Sequence, residues 1–217
     1  MPCLLLDVDG VIVRDRLLMA HLKHNVSRYL HTKLPDCKDP VAVNHSLYMA
    51  YGHTARGLSN GFGIDCSDFN RKVYDKSIMN HLADVLERPE FKNDAEHVNR
   101  MIQYGWPVTL FSNAPHEWVD RVALAINDKV RVRCPGPDPT KSHMKPELAF
   151  YKEFDSCLDY YFVDDSLKNL GAVRNLDNWY PIHFNEGPMD PHCPFPQISR
   201  IQDLPAKIIE SPGSGHT

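Results

Sequence analysis

The chain has 217 residues, 42% hydrophobic and 24% charged, with a formal net charge of −4 and a pI near 6.3. That length fits one large domain or two small ones with a sizeable core, and the composition argues against wholesale disorder. The mildly acidic balance argues against general nucleic-acid or membrane-surface binding, which needs a basic face.

The apolar stretch nearest the N-terminus, Cys3–Leu6, is broken by Asp7 and Asp9, so neither a membrane span nor a signal peptide is expected. The six cysteines are scattered without a C-x-x-C pair. Reduced thiols in a cytoplasmic compartment are the plain reading.

Leu4-Leu5-Leu6-Asp7-Val8 reads as a buried strand. From Arg16 to Arg88 the pattern is helical, with Leu18, Leu22, Val26, Tyr29 and Leu30 on one face. Val43, Leu47 and Tyr51 mark a second helix, and Phe69 to Leu86 one or two more. Then come a helix over 94–104, a strand over 108–111, a helix over 117–126 and a strand over 130–133. A helix over 147–154, a strand over 160–163, a helix over 167–176 and a strand over 180–184 follow. Segments 134–140 and 181–196, rich in Pro and Gly, read as loops, and 211–217 as a loose tail. Alternating strands and helices predict an α/β, Rossmann-like, mostly parallel sheet, and the all-helical block after the first strand reads as an insert.

Three apolar runs end in chemistry-bearing residues: Asp7-Val8-Asp9-Gly10, Ser112-Asn113 and Asp164-Asp165-Ser166. Parallel sheets bind ligands beyond the carboxyl ends of their strands, so these residues are expected to converge although they lie far apart in the chain. Converging carboxylates repel unless a cation joins them. Oxygen ligands suit a hard ion, Mg²⁺ in the usual case. Ser112-Asn113 offers a hydroxyl and backbone N–H groups to an anion, and Lys145 before Pro146 adds a positive charge. Together these groups make a phosphate site.

Asp7-Val8-Asp9-Gly10-Val11, Phe111-Ser112-Asn113, Lys145-Pro146 and Val163-Asp164-Asp165-Ser166 resemble the four ordered motifs of the haloacid dehalogenase (HAD) superfamily. The resemblance implies that Asp7 is a nucleophile forming an aspartyl-phosphate. It implies that Asp9 protonates the leaving oxygen and then activates water. Ser112 and the Asn113 backbone would hold phosphoryl oxygens, and Lys145 would neutralise charge. Asp7, the Asp9 carbonyl and Asp165 would bind Mg²⁺, with Asp164 acting through a water. The superfamily's dehalogenases lack an acid two residues after the nucleophile, so Asp9 points to phosphoryl transfer.

The resemblance further implies a HAD-like core of residues 1–13 and 90–217 and an α-helical cap of residues 14–89. Within the cap, Tyr51-Gly52-His53-Thr54-Ala55-Arg56-Gly57-Leu58 and Phe69-Asn70-Arg71-Lys72-Val73-Tyr74-Asp75 are similar to the pyrimidine 5′-nucleotidase branch. That branch more often has Asn-Thr where this chain has Gly10-Val11. The expected substrate is a small phosphorylated metabolite, a nucleoside 5′-monophosphate, with Tyr51 stacking on the base and Arg56 bonding to a base or sugar edge. A packed tyrosine and a structural arginine are the plain alternatives. A sugar-phosphate phosphatase, a phosphomutase and a non-catalytic HAD-like binding protein are the competing readings, and a monomer or a homodimer fits each.

His21, His24 and His31, with Arg28, fall on the face opposite the apolar stripe of the first helix and read as solvated. Trp106, Trp118 and Trp179 read as packing.

Overall fold

A computed structural model describes residues 2–136, 138 and 140–209, so the expected tail at 211–217 lies outside the described residues. The first strand, β1 (Cys3–Leu6), is buried along its whole length. Six helices follow it: α1 (Arg16–Lys33), α2 (Pro40–Tyr51), α3 (Thr54–Phe62), α4 (Cys66–Val73), α5 (Lys76–Leu86) and α6 (Pro89–Gln103). The short helices are held open at their N-termini by side chains that accept orphan amides. Asp39, His53, Asp65 and Asp75 cap α2 to α5 in this way, as Asp15 caps α1.

The chain then alternates through β2 (Val108–Phe111), α7 (His116–Ile126), β3 (Arg131–Arg133), α8 (Leu148–Tyr151), β4 (Tyr160–Asp164) and α9 (Leu167–Val173). It ends with β5 (Trp179–Phe184), β6 (Gln197–Ile198), a 3₁₀ turn (Ile201–Asp203) and α10 (Leu204–Ile209). The sheet order is β3-β2-β1-β4-β5-β6, and every pairing is parallel. Alternation along β1 builds the two faces. Leu4 and Leu6 join one core with α5, α6, α7 and α10, while Cys3 and Leu5 join the other with α8 and α9. β1 lies between β2 and β4, so chain connections leave it toward both edges. That reversal opens a crevice beyond its carboxyl end.

The helical block divides in two. Val26, Leu30, Leu47, Leu58 and Phe69 pack into a small core of their own. Leu18 of α1 and Ile78, Leu82 and Val85 of α5 belong instead to the sheet's core. The expected insert at 14–89 is thus anchored by its first and last helices.

Several expectations are corrected. The helix expected from 94 begins at Pro89, because proline suits the first helical turn. The helix expected over 147–154 is a single turn, and β6, the 3₁₀ turn and α10 were not anticipated. The strand β5 runs through Pro181, which begins the expected loop 181–196. His183 and Asn185 donate their amides toward β6. The Pro181 nitrogen, two residues earlier, faces the same side before β6 has begun, so no ladder bond is lost. His21 is half-buried rather than solvated, because its ring meets His81 of α5 with Nδ1 atoms 3.3 Å apart. His24 and His31 are exposed.

Candidate active site

The crevice beyond β1 gathers residues from every segment singled out above. A cavity of about 170 Å³ is lined by Asp7, Asp9, Ser112, Asn113, Lys145 and Asp165, with Tyr48, His53 and Tyr74 contributed by the helical block. Asp7 follows β1 directly, and Ser112 follows β2. Asp164 ends β4, and Asp165 opens the turn into α9.

Lys145 organises the acids. Its Nζ lies 3.0 Å from Asp7 Oδ1 and 2.7 Å from Asp164 Oδ2, with the rings of Phe111 and Phe162 about it. Burial works to strip its charge, but Asp164 and Asp7 outweigh that effect and hold its pKa above the ordinary lysine value. Asp164 is saturated with donors, since Asn169 Nδ2 and the Ser166 N–H also reach its carboxylate. It therefore anchors Lys145 as well as standing among the acids.

Asn113 fixes the other side of Lys145. Its side chain donates to the Lys145 carbonyl at 2.8 Å and accepts the Lys145 amide at 2.9 Å. The Ser112 hydroxyl oxygen accepts the Ala114 N–H at 3.1 Å, shaping the turn that presents both residues. Neither interaction uses the Asn113 backbone N–H, which has no acceptor among the described residues.

The turn after β1 sets Asp9. The Ile12 and Val13 amides both donate to the Val8 carbonyl, folding the chain back at Gly10. Gly10 has φ +92°, and a Cβ there would fall inside van der Waals contact of the Asp165 carboxylate. The Asp9 carboxylate accepts a hydrogen bond of 3.1 Å from the indole Nε1–H of Trp118. Burial pushes Asp9 up to about 6, against the opposing pull of that bond and of Lys145.

Asp7, Asp164 and Asp165 each offer an oxygen within 4.8 Å of the others. Burial raises the Asp7 pKa well above the carboxylate range despite Lys145. Burial, with Asp164 alongside, pushes Asp165 up to about 6. Three crowded carboxyl groups beside one ammonium repel one another when ionised unless a further cation joins them, and the all-oxygen donor set fits a hard divalent cation.

The residues of the three strand-end motifs and Lys145 therefore meet in one place, whereas the two expected cap residues do not line the cavity. Tyr51, at the end of α2, lies against Gly57, which has no side chain to fill that space. Arg56 is ion-paired with Glu147. Tyr48, three residues before Tyr51, reaches the wall instead. Burial pushes its phenol up to about 12, with the Asp7 charge adding to the shift. His53 also faces the cavity, and burial pushes it down to about 4. Its Nδ1 accepts the Ala55 N–H as the cap of α3, so the ring serves as an acceptor there. Trp118, read as packing, is fully buried, yet it also bonds Asp9. No sequence pattern marks an apolar helix residue as a partner of a distant acid.

No family model matches the sequence, and no curated protein matches it either. Solved structures do match, over nearly the whole chain. A HAD phosphatase from Thermococcus onnurineus is 15% identical with a TM-score of 0.58, covering 96% of this chain and 98% of that one. The L-2-haloacid dehalogenase of Xanthobacter autotrophicus with bound chloropropionic acid is 10% identical, with a TM-score of 0.54 over 97% and 99%. A predicted phosphoglycolate phosphatase from Haemophilus somnus is 12% identical, with a TM-score of 0.54 over 95% and 97%. The fold is that of the HAD-superfamily hydrolases, shared by phosphatases and dehalogenases. These neighbours do not single out the pyrimidine 5′-nucleotidase branch. Among the described residues no helix is long and apolar enough to cross a membrane.

Proposed function

We propose that the protein is a Mg²⁺-dependent phosphomonoester hydrolase that works through an aspartyl-phosphate on Asp7. The observation that carries this reading is one arrangement. Asp7 sits 3.0 Å from Lys145 at the floor of the cavity, and Asp9, a second acid held by a neutral donor, lines the same cavity. A dehalogenase has no use for the second acid, since halide leaves without a proton. A phosphomonoester has an alkoxide to protonate.

In this reading the Asp7 carboxylate attacks phosphorus while Asp9 gives its proton to the departing oxygen, which leaves as an alcohol. Asp9, now ionised, takes a proton from water, and the water oxygen attacks the aspartyl-phosphate to release inorganic phosphate and restore Asp7. The Ser112 hydroxyl, the Asn113 amide and the Lys145 ammonium stabilise charge on the phosphoryl oxygens. Asp7, Asp165 and the Asp9 carbonyl would hold the cation, which lowers the repulsion between Asp7 and an anionic substrate.

The leaving group must extend toward the helical block, where Tyr48, His53 and Tyr74 stand. Aromatic rings there suit a flat base. Together with the resemblance of residues 51–58 and 69–75, they support a pyrimidine nucleoside 5′-monophosphate as substrate.

The test is phosphate release from a panel of nucleotides, sugar phosphates and p-nitrophenyl phosphate, with and without chelator, beside Asp7→Asn. Pyrimidine monophosphates are expected to be cleaved only with Mg²⁺, and the variant to be inactive. Cleavage of sugar phosphates alone would reassign the substrate. Undiminished turnover by Asp7→Asn, or no cleavage of any ester, would overturn the mechanism.

A further inference from the structure

We infer that Trp118 is a positioning residue for the acid step: its indole N–H fixes the Asp9 carboxylate so that the proton-bearing oxygen faces the leaving group. The inference rests on the reading of Asp9 as the acid and concerns how that acid is held.

Trp118 lies on the first turn of α7, just beyond the Ser112-Asn113 turn, and is fully buried. Its Nε1 donates to Asp9 Oδ1 at 3.1 Å, the one polar interaction its side chain makes among the described residues. A carboxylate has two oxygens. With Oδ1 engaged by a donor that cannot itself accept a proton, Oδ2 is left as the oxygen that carries and delivers one. An indole suits the task because it has a donor and no acceptor, so it orients the acid without competing for the proton.

The indole is itself held. Tyr74, at the C-terminal end of α4, meets it edge-on at 5.4 Å and 74°, and Tyr74 also lines the cavity. A ring of the helical block therefore braces the core residue that braces the acid. The position of that block is in this way linked to the aim of Asp9.

A positioning role predicts a selective defect. Protonation matters for an alkyl ester, whose alkoxide is a poor leaving group, and hardly at all for p-nitrophenyl phosphate, whose phenolate departs unassisted. The comparison is made in kcat/KM, which reports the steps up to aspartyl-phosphate formation and so leaves out its hydrolysis. For Trp118→Phe, the expected loss is about tenfold or more on the best alkyl phosphate of the panel, against less than about twofold on the aryl ester. Asp9→Asn is expected to show the same selectivity, larger. Replacing Trp118 by 3-benzothienylalanine keeps the ring shape and removes only the donor. It is expected to match Trp118→Phe, and it serves if the phenylalanine variant folds poorly. Equal losses on both esters, or none on either, in the benzothienyl variant would overturn the inference while leaving the acid role of Asp9 standing. Absence of the selectivity in Asp9→Asn as well would instead remove the reading on which it rests.

Discussion

Lys145 and Asp164 form an ion pair of 2.7 Å from which solvent is almost wholly excluded. Asn169 and the Ser166 amide supply the carboxylate's remaining partners, so both Asp164 oxygens are hydrogen-bonded where burial has stripped them of water. It also holds the ammonium 3.0 Å from Asp7.

Removing the cation strands two buried carboxylates. Lys145→Met is expected to lose about 3–5 kcal/mol of stability, as breaking one side of a buried pair does. It is also expected to lose measurable phosphatase activity. Urea melts at pH 7.5 and at pH 5 check the first part. The loss should be smaller at pH 5, where Asp7, its pKa raised by burial, is closer to taking up a proton.

Gly10 holds a left-handed conformation against the Asp165 carboxylate. Gly10→Ala adds roughly 1–2 kcal/mol of backbone strain and pushes that carboxylate aside. Its affinity for Mg²⁺, measured by calorimetry, is expected to fall by about tenfold, the equivalent of 1.4 kcal/mol. Unchanged affinity would show that Asp165 is not a ligand.

Asp9 and Asp165 are both pushed up to about 6. A carboxyl whose folded pKa exceeds its unfolded value contributes its full stability below the unfolded value near 3.8 and loses it as pH rises through about 6. In chelator, the protein is therefore expected to lose stability over that interval. A bound cation favours the ionised acids, so the rise in Tm produced by Mg²⁺ should be larger at pH 7.5 than at pH 5. Equal increments, measured by differential scanning fluorimetry, would contradict the cluster's role.

His53 runs the opposite way. Burial pushes it down to about 4, and its Nδ1 is occupied as an acceptor at the start of α3. Its contribution is complete above the unfolded value near 6.5 and declines as pH falls toward about 4, because the unfolded chain takes the proton first. His53→Asn keeps a capping oxygen and removes the titration. Its stability between pH 6.5 and 4, followed by urea unfolding, should vary less than that of the parent chain.

The acids and the serine that meet in the cavity were legible because each lies at or just past the end of an apolar run. A buried parallel strand must be written as such a run, and its carboxyl end is where a polar residue regains access to a ligand. Asp7, Ser112 and Asp165 could be read this way, and Lys145 through its place before Pro146. That Tyr51 and Arg56 fall outside the cavity lining was not legible, for a matching reason. The helices of the insert carry apolar residues on more than one side, so spacing alone leaves their rotation about the axis open.

By itself, then, the sequence determined the parallel α/β core, the helical insert, the acids and hydroxyl that the strand ends deliver, and the amine before Pro146. The tertiary structure alone decided that Tyr48 rather than Tyr51 faces the cavity, that Arg56 pairs with Glu147, and that Trp118 reaches Asp9. Those outcomes depend on how helices dock against a core, and docking is set by contacts between residues remote along the chain, which no local pattern encodes.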